Sequence, residues 1–298
     1  MSSSAQTIAF IGLGIMGAPM AGHLVAAGHQ VRGHDIAPAG LAQLSAAGGE
    51  TAGSVAEAVA EADVVITMLP NHPQVEAVVL GEDGVLSHAK PNTLLIDMST
   101  IRPESSQTIA RQGAERGIRV LDAPVSGGQA GAVEASLSIM VGGSDDDFAS
   151  AEAILESLGT TIVHVGPAGA GQVVKAANQL LVAGIIALNA EALLLLESSG
   201  LDGRKGMEVL AGGLAGSTVL NRKIDNFANR EFSPGFRIDL HDKDMGIVES
   251  AARTAGVGLP LAGQVAQLVA AAKAHGLGGH DHSALLALIE DLNGKAAA

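Results

Sequence analysis

An α/β fold is predicted for this chain, with a doubly wound parallel sheet over its first half and helices alone over its second. Three features of the 298 residues carry that prediction. Strand-like apolar runs alternate with amphipathic helical stretches from residue 7 to about residue 165, the signature of strand–helix–strand units with parallel strands. The earliest run breaks into a glycine-rich turn that opens a helix. From about Gly169 onward strand alternation disappears, and helical stretches are separated by glycine breaks at Gly200, Gly203, Gly212, Gly213, Gly256, Gly258 and 276–279.

Taken in order, residues 8–11 (IAFI) form the opening strand, followed by Gly12, Leu13, Gly14, Ile15, Met16 and Gly17. A G-x-G-x-x-G run has chemical meaning only between a strand and a helix, which is where it lies here. Gly12 permits the tight turn, Gly14 lets a pyrophosphate approach the backbone, and Gly17 allows close packing of helix on strand. The free N–H groups at the helix start then favour an anion. Further strands are expected over 30–34, 64–68, 93–97, 120–122, 138–141 and 161–165. Asp35 ends the first of these, the second strand of the chain, 18 residues after Gly17. That is where a carboxylate bonds the adenosine ribose 2′-hydroxyl of NAD and repels the 2′-phosphate of NADP. Ile36 follows it, with no arginine for that phosphate. NAD(H) is therefore the expected cofactor, with NADP(H) as the alternative. Leu69 and Pro70, then Ser99 and Thr100, follow the next two strands, and loops at carboxyl strand ends edge the ligand in such sheets.

Composition narrows the chemistry. The chain has no Cys, Trp or Tyr. A Tyr–Lys proton-transfer dyad, a thiolate nucleophile and a cysteine-ligated zinc are thereby excluded. A dehydrogenase built from these residues must use Lys, His, Asp or Glu as its acid–base group. With 47% apolar residues there is material for two cores, and the length suggests two domains, 1–165 and 166–298. A net charge of −14 argues against nucleic acid or an anionic membrane as partner; a small anionic substrate needs only a local positive site. The first residues are polar, with no signal pattern, so a cytoplasmic location is expected. Residues 180–196 are strongly apolar but interrupted by Asn189 and Glu191, which reads as a buried helix. The wider stretch 173–199 is apolar nearly all round, predicting burial in the second domain and in a homodimer or homotetramer interface. No metal is expected: His275, His280, Asp281 and His282 read as a solvated turn and helix cap with Ser283, and Asp145, Asp146 and Asp147 as helix-start carboxylates.

Residues 10–21 (FIGLGIMGAPMA), 122–128 (DAPVSGG) and 169–179 (GAGQVVKAANQ) together resemble the β-hydroxyacid dehydrogenases, in that family's order and spacing and across essentially the whole chain. The resemblance implies a Rossmann-type N-terminal domain and an all-α C-terminal domain joined by a long helix, with metal-free hydride transfer between NAD(P) and a 3-hydroxy acid. It assigns Lys175 as the catalytic acid–base, a role lysine can fill where desolvation lowers its pKa. It assigns Ser126, Gly127 and Gly128 to the substrate carboxylate, Asn178 to a substrate hydroxyl or carboxylate, and Thr100 and Lys243 to the nicotinamide end of the cofactor. Gln179 stands where many members have a second Asn, which narrows the branch. Residues 212–220, 234–241 and 281–285 are most similar to the tartronate semialdehyde reductases, implying formation of D-glycerate. Other branches acting on succinic semialdehyde, sulfolactaldehyde or 3-hydroxyisobutyrate are the alternatives, as is a catalytically silent NAD-binding scaffold.

Overall fold

The computed structural model describes residues 5–295. The chain forms two compact units that divide after Lys175, inside a helix. In the first unit, β1 (Thr7–Ile11), β2 (Gln30–His34), β3 (Glu50–Thr51), β4 (Val64–Thr67), β5 (Leu94–Asp97) and β6 (Arg119–Asp122) are parallel, in the order β3-β2-β1-β4-β5-β6. The chain builds outward from β1 in one direction and then, from β4, in the other. The order therefore reverses between β1 and β4, where such sheets bind ligands at their carboxyl edge.

Helices cover the sheet, so its central strands are apolar on both faces. All four residues of β4 and of β5 are buried. Alternate side chains supply two separate cores. Ile8, Phe10, Val64, Ile66, Leu94 and Ile96 lie on one side, and Ala9, Ile11, Val65 and Leu95 on the other. Every expected strand forms. Two short ones were not expected, β3 and β7 (Val125–Ser126), and beyond β6 the sheet departs from all-parallel pairing. There β8 (Leu137–Gly142) runs antiparallel to β6 and β7, while β9 (Gly159–Gly166) pairs parallel with β8. The segment linking β7 to β8 holds only the short helix Gly128–Val133, less than a parallel crossover requires.

The second unit is helical. The long helix Ala170–Ser198 sends Ile186, Ala187, Ala190 and Leu193 into a core with Met207, Leu220, Phe227, Ile238 and Leu286. It sends Ala176 and Ala183 into another with Met245, Val248, Ala262 and Ala266. By length and composition this helix could cross a membrane, but its buried residues make it the central helix of a folded unit. It is not covered all round, as its composition suggested. Leu181, Leu188 and Leu195 are 65–69% exposed at seven-residue spacing, forming an apolar stripe along one side.

Candidate active site

At the end of β1, Gly12 N–H donates to the His34 carbonyl at 3.0 Å. Its φ of +97° suits glycine, and a Cβ there would lie 2.4 Å from the Met68 carbonyl oxygen. A Cβ on Gly17 would lie 1.9 Å from the Gly12 oxygen, so the helix Gly17–Ala26 starts pressed against the turn. Around Gly14, by contrast, a Cβ would meet nothing within 4 Å. No side chain caps this helix, which begins beside Met16, and the first N–H groups of a helix have no acceptor within it. That combination fits a dinucleotide pyrophosphate. Ile15 is exposed, whereas Met16 packs on the first core.

Asp35 straddles the turn. Its Oδ2 accepts from Leu13 N–H at 2.6 Å and its Oδ1 from Ala37 N–H at 2.7 Å. Each oxygen keeps acceptor capacity for a ribose hydroxyl. Ile36, next along, is 99% exposed. Leu69, Pro70 and Thr100 follow β4 and β5 at the same carboxyl edge, and Leu69 N–H donates to Ser99 Oγ at 2.9 Å, tying the two loops together.

Ser126 sits at the end of β7, paired with Ser138 of β8. Gly127 then takes φ +142° and Gly128 φ +63°. Both φ values fall where most residues would be strained and glycine is not. The Lys175 ammonium donates to the Val125 carbonyl at 2.7 Å, and the residue is only 7% exposed. The predicted lysine and the predicted Ser126–Gly127–Gly128 turn are thus brought together within the first unit.

Asp122, from the same motif, terminates β6 and reaches the start of the long helix. Its Oδ1 accepts from Gly169 N–H at 2.6 Å and its Oδ2 from Gln172 N–H at 3.0 Å. Burial pushes its carboxyl up to about 6, against the pull of those two donors, with a smaller upward push from Asp97.

In the second unit, Asn178 Nδ2 donates to Gln179 Oε1 at 2.7 Å, and Gln179 Nε2 to Asp244 Oδ2 at 2.5 Å. Lys243 Nζ lies 2.9 Å from Asp244 Oδ1. One polar row therefore joins the predicted Asn178 and Lys243 through Gln179 and Asp244, to which the sequence reading assigned no role. The only signal for Asp244 was its place in the charged run 239–245.

The turn at 280–283 is corrected. It caps as expected, Asp281 accepting from Ser283 N–H at 3.1 Å, but it is not solvated: Asp281, His282 and Ser283 are buried. Lys223 Nζ lies 2.7 Å from Asp281 Oδ2, and the backbone N–H groups of Gly235 and Phe236 donate to the same oxygen. His282 Nδ1 is 3.2 Å from His241 Nδ1, so one ring donates and the other accepts. Burial, reinforced by His241, holds His282 well below the ordinary histidine range.

Comparison with known proteins identifies the family. Residues 7–166 match the family model described as the NAD binding domain of 6-phosphogluconate dehydrogenase. Residues 169–289 match the one described as NAD-binding of NADP-dependent 3-hydroxyisobutyrate dehydrogenase. A 2-hydroxy-3-oxopropionate reductase of Escherichia coli is 41% identical over 95% of this chain and 97% of its own. An NAD-dependent L-serine dehydrogenase of Pseudomonas aeruginosa is 38% identical over 97% of this chain and the whole of its own. The solved structure of Mycobacterium tuberculosis 3-hydroxyisobutyrate dehydrogenase with L-serine, 38% identical, superposes with a TM-score of 0.86 over 96% of this chain and 99% of that one. This chain is a member of the β-hydroxyacid dehydrogenase family, an NAD(P)-dependent oxidoreductase that acts on hydroxy acids.

Proposed function

We propose that the protein reduces tartronate semialdehyde (2-hydroxy-3-oxopropionate) to D-glycerate with NADH. The observation that carries the chemistry is Lys175, a nearly enclosed amine held 2.7 Å from the carbonyl of the residue before Ser126. Bound nicotinamide supplies the hydride. Lys175 Nζ gives its proton to the aldehyde oxygen as that becomes a hydroxyl, and takes it back in the oxidising direction. Ser126 Oγ and the N–H groups of Gly127 and Gly128 hold the carboxylate, and Asn178 orients the hydroxyl. Thr100 and Lys243 serve the nicotinamide end. The segment from Gly12 through Leu13, Gly14, Ile15 and Met16 to Gly17, with Leu69 and Pro70, holds the dinucleotide, and Asp35 selects NAD(H) over NADP(H).

The choice of substrate rests on motif similarity and on the 41% identical reductase. The relatives named for L-serine and for 3-hydroxyisobutyrate favour a second reading, oxidation of another short 3-hydroxy acid by the same residues run in reverse. The exposed stripe of Leu181, Leu188 and Leu195 supports a homo-oligomer, and the lack of cysteine fits a reducing, cytoplasmic location.

The test measures NADH and NADPH oxidation with tartronate semialdehyde beside succinic semialdehyde, sulfolactaldehyde and methylmalonate semialdehyde. Turnover confined to the first with NADH supports the proposal, whereas preference for another aldehyde overturns the substrate and keeps the mechanism. Lys175→Ala is expected to lose roughly 10²-fold or more in kcat with NADH binding intact. Unchanged turnover in that variant removes the lysine from the reaction.

A further inference from the structure

Gln172 is fully buried one turn before Lys175 on the long helix. Its Oε1 accepts from Ile101 N–H at 3.0 Å and its Nε2 donates to the Ser99 carbonyl at 2.8 Å. One side chain thus grips both ends of the Ser99–Thr100–Ile101 loop, which leaves the carboxyl edge of β5 and is tied through Ser99 Oγ to Leu69 of the neighbouring loop. Its own N–H is held by Asp122. The start of this helix has no slack: a Cβ on Gly171 would lie 2.4 Å from the Met140 carbonyl oxygen, and one on Gly142 would lie 2.6 Å from Asp122 Oδ1. The loop that edges the dinucleotide and the helix that carries the amine are therefore joined through the Gln172 amide, whose two hydrogen bonds need one acceptor and one donor in fixed positions.

We propose that Gln172 is a positioning residue, which sets the distance between the loop after β5 and the Lys175 amine and so keeps hydride and proton acting on one substrate atom pair. It rests on the assignment of Lys175 as the proton-transferring group. Neither methionine nor an ionised glutamate reproduces the grip: methionine fills the space and makes neither bond, and an ionised glutamate accepts from Ile101 but cannot donate to Ser99. A protonated glutamate does both.

The experiment compares the wild type with Gln172→Met and Gln172→Glu. Measurements are NADH affinity from the cofactor's own fluorescence, kcat with NADH and with the deuteride, and folded fraction by circular dichroism. Gln172→Met is expected to lose between about tenfold and 10²-fold in kcat, the scale of a misplacement near 1 Å. The deuterium isotope effect on kcat should rise, because the chemical step becomes limiting, while NADH affinity stays within about threefold. Gln172→Glu should be impaired at neutral pH and recover toward the wild-type rate, measured at each pH, as acidification protonates the new carboxyl. A purely structural role would lower activity only in step with folded fraction and leave the isotope effect unmoved, and that result overturns the proposal. Should the methionine variant not fold, the pH series of Gln172→Glu decides alone, a constant ratio to wild type being the refuting outcome. Full turnover by Lys175→Ala would instead overturn the catalytic reading, a result separable from either Gln172 outcome.

Discussion

Replacing Asp122 with asparagine is expected to change how stability depends on pH more than it changes stability itself. The carboxyl is buried at the junction of β6 and the long helix and titrates at about 6, against 3.8 for an exposed aspartate. Between roughly pH 4 and pH 6 the folded protein therefore keeps a proton that the unfolded chain has released. Stability then falls as pH rises through that window and is flat on either side with respect to this group. A shift of about two units corresponds to roughly 3 kcal/mol. Asparagine cannot titrate, and its amide nitrogen cannot accept from Gly169 or Gln172, so it carries a fixed penalty instead. The wild type's advantage over Asp122→Asn should shrink by about 2–3 kcal/mol between about pH 4 and pH 7, making the substitution most costly in acid and least costly at neutrality. Urea unfolding followed by far-ultraviolet circular dichroism at a series of pH values measures this. Stability profiles that run parallel for the two proteins would show that Asp122 does not titrate as its burial dictates.

Removing the carboxylate in Asp35→Ser should lower the NADH-to-NADPH ratio of kcat/KM by about tenfold or more, since like-charge repulsion of the 2′-phosphate is lost. An unaltered ratio discharges Asp35 as the selector. Lys223→Met takes away the cation 2.7 Å from the fully buried Asp281. Stranding a buried charge costs about 3–5 kcal/mol, although the three backbone donors to Asp281 place the expected loss near the lower end; a fall below about 1 kcal/mol in urea unfolding contradicts the account. Leu188→Glu sets a charge in the exposed stripe of the long helix, and sedimentation velocity should then report a smaller particle than the wild type. An unchanged sedimentation coefficient places any subunit contact elsewhere.

The parts legible in the sequence were those governed by local backbone rules. The strand–turn–helix around Gly12 and Gly17 was readable because glycine is favoured at a φ of +97° and only a residue without Cβ fits where a carbonyl would lie 1.9 Å from it. The neighbouring Asp35 was readable from its distance along the chain. Antiparallel β8 was not, since an apolar run carries no mark of its direction and only the short link after Gly128 decides it. Nor was the burial of Asp281 and His282. A polar turn reads as solvated unless its partners are known, and those partners, Lys223 and His241, are separated from it by 58 and 41 positions. Gln172 escaped for the same reason: its contacts lie 71 and 73 residues upstream. Lys175 and Asn178 were found through family resemblance, because a lysine on an apolar helix has no local signature of enclosure.

Packing in both units is almost wholly aliphatic. The five phenylalanines are the only aromatic residues besides histidine, and each unit has one that is completely enclosed, Phe10 in the first and Phe227 in the second. The chain consequently lacks an indole or phenol chromophore. A tryptophan introduced at the half-buried Phe148, stacked on His164 in the first unit, or at the half-buried Phe232, against the main core of the second, would be the sole emitter of its kind. Each such protein would report the melting of one unit against a dark background. Comparing the two transitions would then show whether the halves of this dehydrogenase unfold as one cooperative body or in sequence.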